Sequence, residues 1–286
     1  NTNPYYKNVN KALTELKLAE PTFENALNVK YYPDRINTPL GKYEENYLRK
    51  NNTLNVAVYD DYKPISYYDK KSHKYKGIAV DLMDKLGEKL GIKFRYFAIN
   101  TKDPYDMFNS TKTDIVLPVY VDDLMYYKTK SLFDSDINYI TKSSYGTLND
   151  NARIAVVKKY KYISDCLKNK TKYNIVEYDT IEDACNGVND GEVDAFATST
   201  YNAKFIIQNP RYRKLDIREF DNISLPFGLA INNNSILESA LNKGIQYITS
   251  EERKNIIDKD TAYKWSDLSW YDKLYSYIDI LSFVSF

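Results

Sequence analysis

Residues 54 to 99 read LNVAVYDDYKPISYYDKKSHKYKGIAVDLMDKLGEKLGIKFRYFAI, and this stretch does most to limit the fold. Leu54, Val56 and Val58 alternate with Asn55, Ala57 and Tyr59, the period of a strand. Asp60, Asp61, Lys63 and Pro64 interrupt it with turn chemistry. After Gly77, the residues Ile78, Leu82, Met83, Leu86 and Leu90 recur at helical spacing, with Asp81 in the first turn and Gly91 just past the end. Ile92, Phe94, Tyr96 and Ala98 then resume the strand period. Two strands joined through a helix make a βαβ unit, which implies an α/β fold with a parallel sheet.

The same logic recurs downstream. Asp114 to Tyr120 is a continuous apolar run, expected of a strand buried on both faces, and a helix is expected from Asp122 to Tyr127. Ile137 to Lys142 reads as a strand crossing into a second unit. There, strands Arg153 to Val157, Tyr173 to Tyr178 and Val193 to Thr198 alternate with helices Tyr162 to Leu167 and Ile181 to Val188, the latter capped by Thr180 and closed by Gly191. Helix Tyr201 to Ile207, strand Leu215 to Phe220, a returning strand Ser224 to Ile231 and helices Ile236 to Tyr247 and Glu251 to Ile257 follow. Upstream of residue 50, Val9, Leu13 and Leu16 mark a helix, Phe23 to Val29 a second, and Tyr43 to Leu48 a third after a Pro- and Asn-rich linker.

The pattern VAVYDDYKPISYYD…KGIAVDLMDKLGEKLGIKF, with EYDTIEDACNGVNDGEVDAFAT further on, resembles the type II periplasmic binding proteins, the family 3 extracellular solute-binding proteins. The resemblance covers roughly Thr53 to Asp258 and implies a two-lobed Venus-flytrap fold. Each lobe would be a mostly parallel sheet flanked by helices, with a two-strand hinge between them. It divides the chain into lobe 1 (53–140 with 225–258) and lobe 2 (141–224). Residues 1–50 then form a helical extension that resembles the end of another binding domain, and 259–286 a tail. Trp265, Leu268, Trp270, Leu274, Tyr277, Ile278, Leu281 and Phe283 make that tail aromatic and aliphatic, suiting a juxtamembrane helix or a packing arm.

Composition removes several function classes. Against 39 acidic residues stand 40 basic ones, for a net charge of +1, so no basic face is expected for nucleic acid. No apolar run approaches the roughly 18 residues of a membrane span. The chain opens on a polar stretch without a signal peptide, and is expected to be a portion of a longer protein whose membrane tether lies elsewhere. Tyr is frequent, 29 of 286 residues, which codon bias in an AT-rich genome can explain, so position rather than residue type must carry any argument from tyrosine. Cys166 and Cys185 fall on separate helices and read as two small buried hydrophobes. A single histidine, His73, lies in a polar loop. Neither a metal site of Cys/His type nor a glycine-rich phosphate loop is present, so neither metal nor cofactor is expected and the chain does not read as an enzyme.

Open α/β sheets bind ligands at the carboxyl ends of their strands. In a two-lobed protein both sets of ends face one cleft. The expected ligand-binding residues are therefore Tyr59, Asp61 and Tyr62, then Tyr120, Asp122, Asp123 and Tyr126, then Lys158 and Tyr160, and finally Ser199 and Tyr201. Acidic pairs such as Asp60–Asp61 read more simply as solvated loop residues. In amino-acid-binding members of the family, an Arg after the third strand holds the ligand carboxylate and an Asp in the second lobe meets its ammonium. Here the first place reads Val121-Asp122-Asp123 and the second is Ser199, while Lys159-Tyr160 replaces a Gly-Thr pair. The partner implied is a small molecule other than a standard α-amino acid, uncharged, aromatic or cationic; a cleft that no longer binds is the rival. The functional expectation is an extracytoplasmic sensor domain, anchored to the cell membrane, of a histidine kinase or diguanylate cyclase type of protein. The alternative is the binding component of an ABC uptake transporter. A membrane span after Phe286 would favour the first, a lipobox upstream and an early stop the second.

Overall fold

The structure is a computed structural model that describes residues 9, 12, 40–101, 103–110, 112–120, 127–144, 146–262, 268, 270–275 and 277. The helices expected around residues 13–29, residues 122–126 of the next expected helix and tail positions 265, 278, 281 and 283 lie outside these; Tyr127, expected at the end of that helix, instead begins a strand (Tyr127–Lys128). Helix α1 (Lys42–Lys50) leads into β1 (Thr53–Val58). Next come three short strands, β2 (Asp61–Tyr62), β3 (Ser66–Asp69) and β4 (Lys74–Lys76). Helix α2 (Ile78–Leu90), β5 (Lys93–Ala98), a short α3 (Met107–Ser110) and β6 (Ile115–Tyr120) complete the first parallel group. Strands β7 (Tyr127–Lys128) and β8 (Phe133–Lys142) lead on to β9 (Arg153–Val157), α4 (Lys161–Lys170), β10 (Asn174–Tyr178), α5 (Ile181–Asp190), β11 (Ala195–Ser199) and α6 (Thr200–Ile207). The return runs through β12 (Leu215–Arg218) and β13 (Ser224–Ile231) to α7 (Ser235–Gln246), α8 (Ser250–Thr261) and α9 (Trp270–Tyr275).

One path of paired strands runs β10-β9-β11-β8-β13-β6-β1-β5. At one end β1 pairs in parallel with both β5 and β6; at the other, β9 pairs in parallel with both β10 and β11. Between these trios lie the antiparallel strands β8 and β13. Residues 133–136 of β8 pair with β13, while residues 137–140 pair with β11. Each trio with its helices is one lobe, and β8 passes from the first to the second.

Sequence periodicity explains why these elements form. In α2 the side chains of Leu82, Met83, Leu86 and Leu90 are buried against β5, α7 and α8, each contributing on the order of 1.5–3 kcal/mol. Gly244 of α7 permits the close crossing, since a Cβ there would lie 2.4 Å from Leu86 Cδ1. The loop that reads as turn chemistry between Asp60 and Gly77 is more ordered than its sequence implies. It folds as the antiparallel meander β2-β3-β4, because Tyr67 and Tyr68 pair with Lys76 and Tyr75. Gly77 joins this meander to α2 with φ 115°, and the N–H groups of Ile78 and Ala79 donate to the carbonyls of Pro64 and Ile65. Any side chain at 77 would collide with those same carbonyls at 2.5–2.6 Å.

Helix α1 is tied to the first lobe by a buried carboxylate. Glu44 accepts from the Gly41 N–H at 2.5 Å, from Ser239 Oγ at 2.6 Å and from Lys243 Nζ at 2.7 Å. Burial by itself would raise this carboxyl, but the three donors outweigh it and hold Glu44 below the usual carboxylate range. At the other end, α9 sits against the turn Pro210–Tyr212 of the second lobe, with Asp272 Oδ1 3.9 Å from Arg211 Nε. The described part of the tail therefore packs as an arm on that lobe. Cys166 and Cys185 are both buried and unbridged, and burial pushes the Cys185 thiol up to about 12.

Two substitutions test this account. Gly77→Ala is expected to lower unfolding stability by about 3 kcal/mol in urea denaturation, since it combines backbone strain with a collision. Glu44→Ala should cost about 1–3 kcal/mol and unprotect the α1 amides in hydrogen exchange. Because the folded pKa of Glu44 is depressed, its contribution is present above the unfolded value of about 4.3 and is lost as pH falls through the folded value. The gap between wild type and Glu44→Ala should accordingly narrow in acid.

Candidate functional site

Strands β1, β6, β9 and β11 bring their carboxyl ends to the boundary between the lobes, because each parallel trio is wound in the same sense. Tyr59 follows β1, Tyr62 belongs to β2, and Tyr160 precedes α4. All three rings are buried and meet. Tyr62 stacks on Tyr160 with centroids 4.0 Å apart, and Tyr59 stands edge-on to Tyr160 at 5.3 Å and to Tyr62 at 6.2 Å. Edge-to-face and offset stacks of this kind contribute about 0.5–1.5 kcal/mol each beyond the area they bury.

Polar contacts across the lobes surround the stack. Tyr62 donates its hydroxyl to Ser199 Oγ at 3.1 Å, and Asn202 Nδ2 donates to the Lys63 carbonyl at 2.5 Å. Lys159 Nζ bridges Asp60 at 2.8 Å and Asp61 at 2.9 Å, while the Tyr160 hydroxyl donates to Asp61 at 3.2 Å. The Asp60–Asp61 pair is thus no simple solvated loop pair, as its sequence reads: both carboxylates hold the second lobe. Burial alone would lower the Lys159 ammonium, but its hydrogen bonds to Asp60 and Asp61 outweigh that and raise it above the usual lysine range. Burial, with the neighbouring Asp61 charge, also drives the Tyr160 hydroxyl well up, so it stays a proton donor at neutral pH.

Beside this contact lies a cavity of about 670 Å³ between the lobes. Tyr59, Tyr105, Pro118 and Tyr120 form its first-lobe wall; Tyr162 and Cys166 of α4 form the other. Its volume falls within the roughly 300–1,000 Å³ of small-molecule sites.

The residues expected from sequence divide into three groups. Tyr59, Asp61, Tyr62, Tyr160 and Ser199 come together at the lobe contact, and Tyr59 and Tyr120 also line the cavity. Lys158 and Tyr201 do not join them. Lys158 points to the second-lobe surface, where it pairs with Asp179 at 2.8 Å. The Tyr201 hydroxyl donates to the Asp134 carbonyl at 3.0 Å, and its ring lies 6.2 Å from Phe133 beside the crossover strand. Asp122, Asp123 and Tyr126 lie outside the described residues. Sequence reasoning missed Lys159, Asn202, Tyr105 and Tyr162 as members of the site. Lys159 adjoins a predicted strand end, and only its reach to Asp60 marks it. Ser199, expected opposite a ligand, is fully buried and engaged as acceptor for Tyr62 and for the Asn202 N–H that it caps. Among the described residues no cluster of His, Cys, Asp or Glu suits a metal ion, and no helix is long and apolar enough to cross a membrane. His73 is exposed, 3.3 Å from the Tyr68 hydroxyl.

Residues 54–124 match the family described as bacterial extracellular solute-binding proteins, family 3. No curated protein matches the chain in sequence. Among solved structures, the BvgS periplasmic VFT2 domain of Bordetella pertussis superposes with a TM-score of 0.68 at 18% identity, covering 78% of this chain and 99% of that one. The larger B. pertussis BvgS periplasmic domain gives 0.69 at 17% identity over 86% of this chain, which spans about half (49%) of that structure. The substrate-binding protein of an amino acid ABC transporter gives 0.59 at 17% identity over 72% of this chain and 98% of that one. The fold is the two-lobed Venus-flytrap fold of the periplasmic binding proteins.

Lys159→Ala removes the ammonium that Asp60 and Asp61 share. It is expected to cost about 1 kcal/mol, in the range of partly exposed pairs, and to enlarge the radius of gyration in small-angle scattering. The raised pKa of Lys159 gives the sign with pH: its contribution is complete below the unfolded lysine value of about 10.4 and is lost as pH climbs through the higher folded one. Wild type and variant should therefore converge in strong alkali.

Proposed function

We propose that the chain is an extracytoplasmic small-molecule-binding sensor domain of a membrane signal-transduction protein, of histidine kinase or diguanylate cyclase type, that responds to ligand by closing its lobes. On this reading residues 53–140 with 225–258 act as lobe 1 and 141–224 as lobe 2, turning about β8 and β13. Residues 1–50 and 259–286 connect the clamshell to the rest of a tethered protein. The observation that carries the reading is the tyrosine-walled cavity at the mouth of a lobe contact already built from side chains of the chain itself. The likeness to the BvgS periplasmic domains supports a sensor.

Ligand binding and lobe closure are linked energetically. Turning a 1:99 population of closed molecules into 99:1 needs about 5.5 kcal/mol of differential affinity. The Tyr62–Ser199, Lys159–Asp60 and Lys159–Asp61 contacts already favour closure, so a ligand has less to supply. Of the expected residues, Tyr59 and Tyr120 act as walls for the ligand, while Tyr62, Tyr160, Asp61 and Ser199 act in closure. A second reading, the binding component of an uptake transporter, is favoured by the likeness to the amino acid ABC transporter protein. In either role the chain binds and releases without turnover.

A thermal-shift screen over small metabolites tests ligand binding, since a ligand at 100 times its Kd adds about 2.7 kcal/mol. With the strongest hit, small-angle scattering should show a smaller radius of gyration and a narrower distribution. Superimposable profiles with and without a saturating hit would defeat ligand-driven closure.

A further inference from the structure

The cavity's walls are flat and aromatic, and its charge is uneven. Half-buried Tyr105, Tyr120 and Tyr162 line it with Pro104 and Pro118 beside the buried Tyr59, so a planar ring fits better than a branched or globular solute. At the α4 rim stand Lys161, Lys168 and Lys170, all exposed, of which Lys168 lies 3.7 Å from the Glu177 carboxylate. Asp165 lies on the same helix, one turn from both Lys161 and Lys168. The only other lining carboxylate among the described residues, Asp103, accepts the Tyr105 N–H at 2.9 Å and closes its own turn.

Two of the four ring walls already have an ammonium close by. Lys128 Nζ lies 5.4 Å from the Tyr105 centroid and Lys159 Nζ 5.9 Å from that of Tyr59. A cationic guest would compete for those rings and be repelled by the lysine rim, whereas an anion would be drawn to it. Among the described residues at the lobe contact, Asp61 is taken by Lys159 and Tyr160, and Ser199 by Tyr62, so neither is open to an α-ammonium.

Given a ligand-binding cleft, on which this rests, we infer that the cavity takes a planar aromatic molecule bearing a carboxylate and no ammonium group. The ring lies among Tyr59, Tyr105, Tyr120 and Tyr162, and the carboxylate faces Lys161 and Lys170. This narrows the sequence-based expectation, which admitted uncharged and cationic guests as well.

Calorimetric titration of the full 286-residue chain at low salt tests the inference, with phenylacetate, phenylacetamide, phenethylamine and phenylalanine as probes. Phenylacetate is expected to bind at least about tenfold tighter than the other three. The double variant Lys161→Gln/Lys170→Gln, at exposed positions, should keep its melting temperature and lose most of that preference. Tyr105→Ala should abolish phenylacetate binding. Phenethylamine binding as tightly as phenylacetate, and still lost in Tyr105→Ala, would overturn the carboxylate while leaving the cleft reading intact. Binding of all probes alike, indifferent to Tyr105→Ala, would overturn both. No heat from any probe at millimolar concentration would overturn the aromatic acid alone, since the metabolite screen and scattering decide the cleft independently.

Discussion

The antiparallel pairing of β8 with β13 is the constraint from which the rest of the geometry follows. Each strand pairs with its partner over residues 133–136 and 224–227 and then leaves for a different sheet. Backbone hydrogen bonds leave little freedom within such a pair, so the two parallel trios can turn about it but cannot slide apart. Both trios then aim their strand ends at the same space. The tyrosine stack, the cavity and the Lys159 bridge all occupy that space, and none would exist if the chain crossed between sheets at another point.

Across the cleft the lobes hold each other through groups that belong to the chain. Tyr62 completes the contact between the lobes, stacked on Tyr160 and hydrogen-bonded to Ser199. Aromatic burial supplies most of the attraction. The single bridging ammonium of Lys159 supplies direction, because two partly exposed ion pairs contribute modestly. The tyrosine stack fills the inner part of this space, and the cavity walled by Tyr105, Tyr120 and Tyr162 lies beside it. At the two ends of the clamshell, Glu44 ties α1 to α7 on the first lobe, and α9 lies against the second beside Arg211.

Much of the fold was readable before any coordinates. Alternation at 54–58 and helical spacing at 78–90 reflect sheet and helix faces that must be buried, and DIVLPVY matches the run expected of a strand covered on both sides. Thr180 as a cap and the residues of β9 and β13 coincide with the reading to within a residue. Strand ends likewise located Tyr59, Tyr62, Tyr120 and Tyr160. The meander at 61–76 was not readable, since its strands are two to four residues long and their partners come from within a polar loop.

What the sequence by itself determined is the kind of chain: α/β, with two runs of parallel strands. Hydrophobic periodicity is a local property, and so it survives without a structure. Only the tertiary structure decided which tips meet. Lys158 and Lys159 are neighbours in sequence, yet one faces Asp179 on the surface and the other closes the cleft on Asp60 and Asp61. Adjacent side chains leave the backbone in different directions, and a partner about 100 residues away is chosen by how the lobes dock, which no local pattern encodes.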